Sequence, residues 1–216
     1  MGEKFLFFDY DGVLADSLSL VQTQFNTLAE RYRAPGRLER DWLSVFPDVT
    51  FPKMAAHIGV GDSQLEAFLS ELFAALEHNG DQVALFPDIA PMLRSLKDSH
   101  RIYVLSASPS SAIRKVLHRE QVLDCFSGIL AADVPGTKSE KILAILPPDH
   151  RSATMIGDSG SDIRAAHEAK IHSIAVLWGW QSPQTLIAHL PDQTAKTVTE
   201  LTDAITPPRV LKAVDI

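Results

Sequence analysis

Four short runs of consecutive apolar residues constrain this chain most: Phe5–Phe8, Ile102–Leu105, Ala153–Ile156 and Ile174–Leu177. None alternates apolar with polar, as a strand with one wet face would. A strand buried on both faces reads this way, which is its environment in a parallel sheet covered by helices. Gly128–Leu130 is a weaker fifth candidate. Helical patterns lie between the runs. Ile89, Met92, Leu93 and Leu96 mark one, and Ile113, Val116 and Leu117 a second. Ile142, Leu143 and Leu146 mark a third, with Ser139 as its expected cap, and Ile163, Ala166 and Ala169 a fourth. Strand and helix alternating from about residue 85 onward predict an α/β fold built on a doubly wound parallel sheet.

Residues 17–84 break that alternation. Leu18, Val21, Phe25, Leu28 and Tyr32 recur at helical spacing, as do Leu65, Phe68, Leu69, Leu72, Phe73 and Leu76. Between them Pro35, Gly36, Pro47, Pro52, Gly59 and Gly61 indicate short helices and turns. The expected organisation is an α/β core of residues 1–16 and 85–206, a small inserted helical cap of residues 17–84, and a C-terminal tail of residues 207–216. The chain would cross between core and cap near Asp16 and Leu85. A length of 216 residues with 45% apolar content has room for both parts.

Twenty-seven acidic residues against twenty basic ones give a formal charge of −7. That balance repels nucleic acid phosphates and anionic lipid, so neither nucleic acid nor a membrane is an expected partner. No apolar stretch approaches the roughly twenty residues that span a bilayer. The apolar run near the N-terminus is too short for a secretory leader, and the single cysteine, Cys125, fits a reducing compartment. A cytoplasmic location is expected; the oligomeric state has no signal here.

Polar residues gather just after the apolar runs. Phe5–Phe8 is followed by Asp9-Tyr10-Asp11-Gly12, Ile102–Leu105 by Ser106-Ala107-Ser108, and Ala153–Ile156 by Gly157-Asp158-Ser159-Gly160-Ser161-Asp162. The carboxyl ends of parallel strands share one edge, where ligands bind. Asp9, Asp11, Asp158 and Asp162 would therefore converge and repel one another unless a cation held them. An all-oxygen set suits a hard ion such as Mg²⁺. A carboxylate can also act as a nucleophile towards phosphorus. Asp9 and Asp11, two residues apart on an extended exit, would address one substrate, one as nucleophile and the other as proton donor. Lys138, expected in the loop before a helix, would neutralise phosphoryl oxygens, with the Ser106 hydroxyl and the Ala107 amide as further donors.

Each piece has a plainer reading. Asp11-Gly12 fits a hairpin turn, although Val13-Leu14-Ala15 continues with helical pattern. Ser106, Ser108 and the Gly157–Asp162 segment fit helix caps, and Lys138 fits a solvated surface lysine. Convergence on one sheet edge favours a site.

Over essentially its whole length the chain resembles the haloacid dehalogenase-like superfamily, in its phosphoglycolate-phosphatase-like subgroup. Asp9 to Ser17 matches the first motif, DxDGxxxDS; Ser106 the second; Lys138 the third, with Ser139 where a proline is common; Gly157-Asp158 through Asp162 the fourth, GDxxxD. Val176-Leu177-Trp178-Gly179-Trp180 is similar to a late WGY-type segment of that subgroup. The resemblance implies a Rossmann-like core with an inserted helical cap, and a Mg²⁺-dependent phosphatase acting on a small phosphorylated substrate such as phosphoglycolate or a sugar phosphate. It implies Asp9 as nucleophile and metal ligand, and Asp11 as general acid and base with its backbone carbonyl on the metal. Asp158 would be a further ligand, Asp162 a supporting acid, and Ser106 and Lys138 phosphate-binding groups. Dehalogenase members lack the second acid, so Asp11 favours phosphoester chemistry.

Two alternatives share these motifs: a β-phosphoglucomutase-like phosphosugar mutase, and a binding protein of the same fold without turnover. A serine protease, prompted by Gly157-Asp158-Ser159-Gly160, lacks plausible ordered partners. Lys53 is the cationic candidate in the irregular part of the cap. Among Trp42, Trp178 and Trp180, packing is the expected role for at least two.

Overall fold

The computed structural model describes residues 3–46, 49–148 and 152–206, so the expected tail lies outside the described residues. The chain opens with β1 (Phe5–Phe8) and β2 (Ala15–Asp16). It runs through α1 (Leu18–Arg31), α2 (Arg40–Val45), α3 (Phe51–His57) and α4 (Asp62–His78), and returns at β3 (Ala84–Leu85). Strand and helix then alternate through α5 (Ile89–Leu96), β4 (Arg101–Leu105), α6 (Ser110–Arg119), β5 (Gly128–Leu130), α7 (Lys138–Ile145) and β6 (Ala153–Gly157). The described chain closes with α8 (Gly160–Ala169), β7 (His172–Val176), α9 (Pro183–Ala188), β8 (Gln193–Ala195) and α10 (Val198–Ile205).

Six strands form one sheet in the order β5-β4-β1-β6-β7-β8, every neighbouring pair parallel. Progress is outward from β1 in both directions, so the sheet is doubly wound and reverses between β1 and β6. All four apolar runs and the fifth candidate are strands of it. Their lack of alternation follows from the packing. Leu6 and Phe8 enter one core cluster with Ile89, Leu93, Ile113 and Val116. Phe5 and Phe7 enter a second, with Ile142, Met155, Ala165 and Ala166. Both faces of β1 are dry, and each such side chain contributes about 1.5–3 kcal/mol by burial.

The inserted helices pack around aromatic rings. Phe25 of α1 lies 5.4 Å from Phe68 of α4 and 5.9 Å from Phe51 of α3, centroid to centroid. The segments that enter and leave them are joined, because β2 and β3 pair antiparallel, Ala15 opposite Leu85 and Asp16 opposite Ala84. Among the described residues no helix is long and apolar enough to cross a membrane.

Two local expectations are corrected. Val13-Leu14-Ala15 does not begin a helix. The Leu14 and Ala15 amides both donate to the Tyr10 carbonyl, making a tight turn that leads into β2. Ser139 does not cap α7 and Lys138 is not in a loop. Thr137 is the cap, Lys138 the first helical residue, and Glu140 closes a reciprocal capping box. The sequence Thr137-Lys138-Ser139-Glu140 carries that signature. Ser139 instead donates to Glu168 Oε2 at 2.6 Å, tying α7 to α8. Thr137→Ala is expected to cost about 1 kcal/mol, a fall of roughly 2–4 °C in Tm, measurable by thermal denaturation.

Candidate active site

The carboxyl ends of β1, β4 and β6 meet where the sheet reverses. Asp9 follows β1 directly, and its amide donates to the Ile156 carbonyl (2.9 Å), carrying the β1–β6 ladder one residue further. Asp158 stands one residue beyond β6, and Asp162 sits in the first turn of α8, buried by the Ser159 capping box. Carboxylate oxygens of Asp9, Asp158 and Asp162 lie within 4.8 Å of one another, and all three residues are buried.

Lys138 binds two of these acids, with Nζ 2.8 Å from Asp9 Oδ2 and 2.5 Å from Asp162 Oδ1. The other Asp162 oxygen accepts from the Ser159 amide (3.1 Å) and hydroxyl (2.7 Å). Asp162 is thus fully engaged and fixes Lys138. Asp158 Oδ2 accepts from the Trp180 amide at 2.6 Å. Asp11 stands apart from that trio. Its Oδ1 accepts from Ser17 Oγ (2.6 Å) and its Oδ2 from Ser108 Oγ (2.6 Å) and Ser106 Oγ (3.3 Å). A small cavity brings the two acid groups together: Asp9, Asp11, Asp158, Lys138, Ala107 and Trp180 all border it.

Glycine is required beside Asp158. Gly12 has φ +76°, and a Cβ there would lie 2.0 Å from Asp158 Oδ2. A Cβ at Gly179 would lie 2.3 Å from the same oxygen. Two backbones close on one carboxylate.

Positive charge is scarce here. Burial lifts the Asp9 carboxyl to about 7, against the lowering pull of Lys138. Burial also raises Asp11, despite its three hydroxyl partners. Asp158 is held well above the carboxylate range by burial and by the Asp9 charge. Burial opposes the Lys138 ammonium, but Asp162 and Asp9 outweigh it and hold its pKa above the ordinary value. Four acids share one ammonium, and every ligand atom among them is oxygen. Such a set fits a hard divalent cation, whose charge would reverse the upward shifts.

The structure places Ser106 and Ala107 at the end of β4, with the Ser106 hydroxyl on Asp11 and Ala107 lining the cavity. Lys53 is exposed on α3; the neighbouring Thr50 and Phe51 line the cavity. Trp42 stacks on His57 and Trp178 packs against Phe86, so Trp180 alone of the three borders the acids. Its buried indole N–H has no acceptor among the described residues.

Sequence reasoning missed the parts played by Ser108 and Gln181. Ser108 was legible only as a helix cap, and its bond to Asp11 depends on β4 lying beside β1. Gln181 accepts from the Gly160 amide (2.7 Å) and donates to the Phe46 carbonyl, linking the start of α8 to the end of α2. The Ser182 amide adds a bond to the Ser44 carbonyl at 2.8 Å. Nothing local marks these contacts.

Comparison with known proteins identifies the family. The family model for haloacid dehalogenase-like hydrolases matches residues 6–176. The chain is 27% identical over 208 residues to a phosphoglycolate phosphatase of Synechococcus elongatus, covering 93% of this chain and 96% of that protein. It is 24% identical over 218 residues to a phosphoglycolate phosphatase of Vibrio vulnificus, covering 94% and 96%. A haloacid dehalogenase-like family hydrolase from Streptococcus pneumoniae superimposes with a TM-score of 0.79 at 22% identity, over 94% of this chain and 98% of that one.

Proposed function

The chain belongs to the haloacid dehalogenase-like hydrolases and is a phosphatase, and from that premise we propose that it hydrolyses a small phosphorylated metabolite through a phosphorylated Asp9. The observation that carries this reading is the pairing of Asp9 and Asp11 on one cavity, Asp9 held by an ammonium and Asp11 by three hydroxyls. Asp9 and Asp158, with the Asp11 backbone carbonyl, would hold Mg²⁺, which when bound neutralises the acids and draws charge from the phosphoryl oxygens.

Asp9 Oδ attacks phosphorus in line, and the bond from phosphorus to the leaving oxygen breaks. Asp11 gives its proton to that oxygen. As a carboxylate it then takes a proton from the water that attacks the Asp9 phosphoryl group, so inorganic phosphate leaves and both acids are restored. Lys138, the Ser106 hydroxyl and the Ala107 amide stabilise the equatorial oxygens. Asp162 and Ser159 keep Lys138 in place. Residues 17–84 serve as a cap over the core of residues 1–16 and 85–206, excluding water during the reaction. The cytoplasm is the expected setting, in keeping with the buried, unpaired Cys125.

The test is phosphate release from phosphoglycolate, sugar phosphates and p-nitrophenyl phosphate, with Mg²⁺ or with a chelator. Chelation is expected to lower the rate by on the order of 10²-fold or more. Undiminished release in chelator would remove the metal from the reaction. Isomerisation of glucose 1-phosphate without phosphate release would turn the reading to a phosphosugar mutase.

A further inference from the structure

The small cavity at the acids continues into a chamber of about 470 Å³, with Thr50, Phe51, Ala107, Lys138 and Ser161 bordering both. Each water molecule occupies about 30 Å³ in the liquid, so the space equals roughly sixteen waters. A two-carbon acid would leave most of it wet. Organic ligands of moderate size occupy pockets of about 300–1,000 Å³.

The walls differ in kind. α3 and α4 contribute Phe51, Pro52, Leu69 and Phe73. The Phe51 and Phe73 rings have centroids 5.9 Å apart and planes tilted by 54°. The loops after β4 and β5 contribute Ser106, Ala107, Ala132, Gly136 and Thr137, all of them small side chains. Aromatic rings from the inserted helices together with small side chains from these loops suit a flat ring, which gains dispersion and ring–ring contact without displacing a large group. Lys141 and Arg164 also line the chamber, beside a Glu168 that accepts a hydrogen bond from Ser139.

We propose that this chamber receives the leaving group of the substrate, and that the leaving group carries an aromatic or heteroaromatic ring. This rests on the phosphatase reading above. It extends that reading, since neither the motifs nor the acids select among phosphomonoesters.

Benzyl phosphate and n-propyl phosphate both release alcohols of similar basicity, so their comparison reads the chamber and not the chemistry of departure. Wild-type protein with Mg²⁺ is expected to show kcat/KM at least tenfold higher for benzyl phosphate than for propyl phosphate. Ala132→Leu narrows the slot from an exposed loop position and keeps the Ala132 amide bond to the Ser108 carbonyl. It is expected to bring the benzyl-to-propyl ratio towards one, and Phe73→Ala to lower it as well. A wild-type ratio near one, or a ratio unmoved by Ala132→Leu, overturns the proposal. Calorimetric titration with benzylphosphonate and propylphosphonate reads the same preference without turnover. If no ester released phosphate, the phosphatase reading would fall; tighter binding of benzylphosphonate would still support the slot, and equal binding would overturn it.

Discussion

Asp9→Asn is expected to lower kcat for phosphate release by about 10⁴-fold or more, the scale seen when a nucleophile that works with a partner group is removed. The amide has the shape of the carboxylate but cannot attack phosphorus. The fold should survive the change. Lys138 keeps its partner Asp162 at 2.5 Å, and the backbone amide of residue 9 keeps its place in the β1–β6 ladder. Circular dichroism and thermal denaturation would check that, and mass spectrometry would exclude deamidation back to the acid. A rate within about tenfold of wild type in a verified Asp9→Asn preparation would sink the covalent mechanism, and with it the reason for pairing Asp9 with Asp11.

Lys138→Met should strike both stability and rate. Its ammonium is the shared partner of Asp9 and Asp162, and removing one member of a buried ion pair leaves uncompensated charge at a cost of about 3 kcal/mol. For a chain of this size that is a fall of roughly 6–12 °C in Tm. Added Mg²⁺ should recover part of the loss, because a cation at the acids relieves the same repulsion. The rate should fall by about 10²–10³-fold through loss of charge on the phosphoryl oxygens. A melting temperature within about 2 °C of wild type, in the same buffer without metal, would mean that Lys138 is not the counter-ion described. Recovery with Mg²⁺ but not with Na⁺ at equal ionic strength separates a site-bound ion from general screening.

The residues at the acids were readable because two signals coincide in them: a dry strand shows as an unbroken apolar run, and the acids that follow cannot pack. Asp9, Asp11, Asp158 and Asp162 all stand at such transitions. Other parts had no local signal. β8 pairs only three residues, two of them the polar and exposed Gln193 and Thr194, so neither alternation nor a run is there to see. β2 exists because Ala15 and Asp16 meet Leu85 and Ala84, a contact across the whole insertion. Ser139 was misread for a different reason: Thr and Ser compete as caps two residues apart, and Glu140 decides for Thr137. The contacts of Trp180 and Gln181 depend on how the chain after β7 folds back across β6 and α2, and no spacing in the sequence encodes that.

β1 and β6 are adjacent and in register, Phe8 opposite Ile156, and the bond from the Asp9 amide to the Ile156 carbonyl continues that register to the first acid. Neighbouring strands run about 4.8 Å apart, so the gap between the backbones that carry Asp9 and Asp158 is a dimension of the sheet itself. It works as a fixed gauge. No side-chain replacement nearby can widen or narrow it, and an ion of another radius has to be met by rotamers and water within a frame that does not give. Adaptation to a new substrate would therefore fall to the segments that border the cavity beside the gauge, such as the start of α3 and the loop after β4.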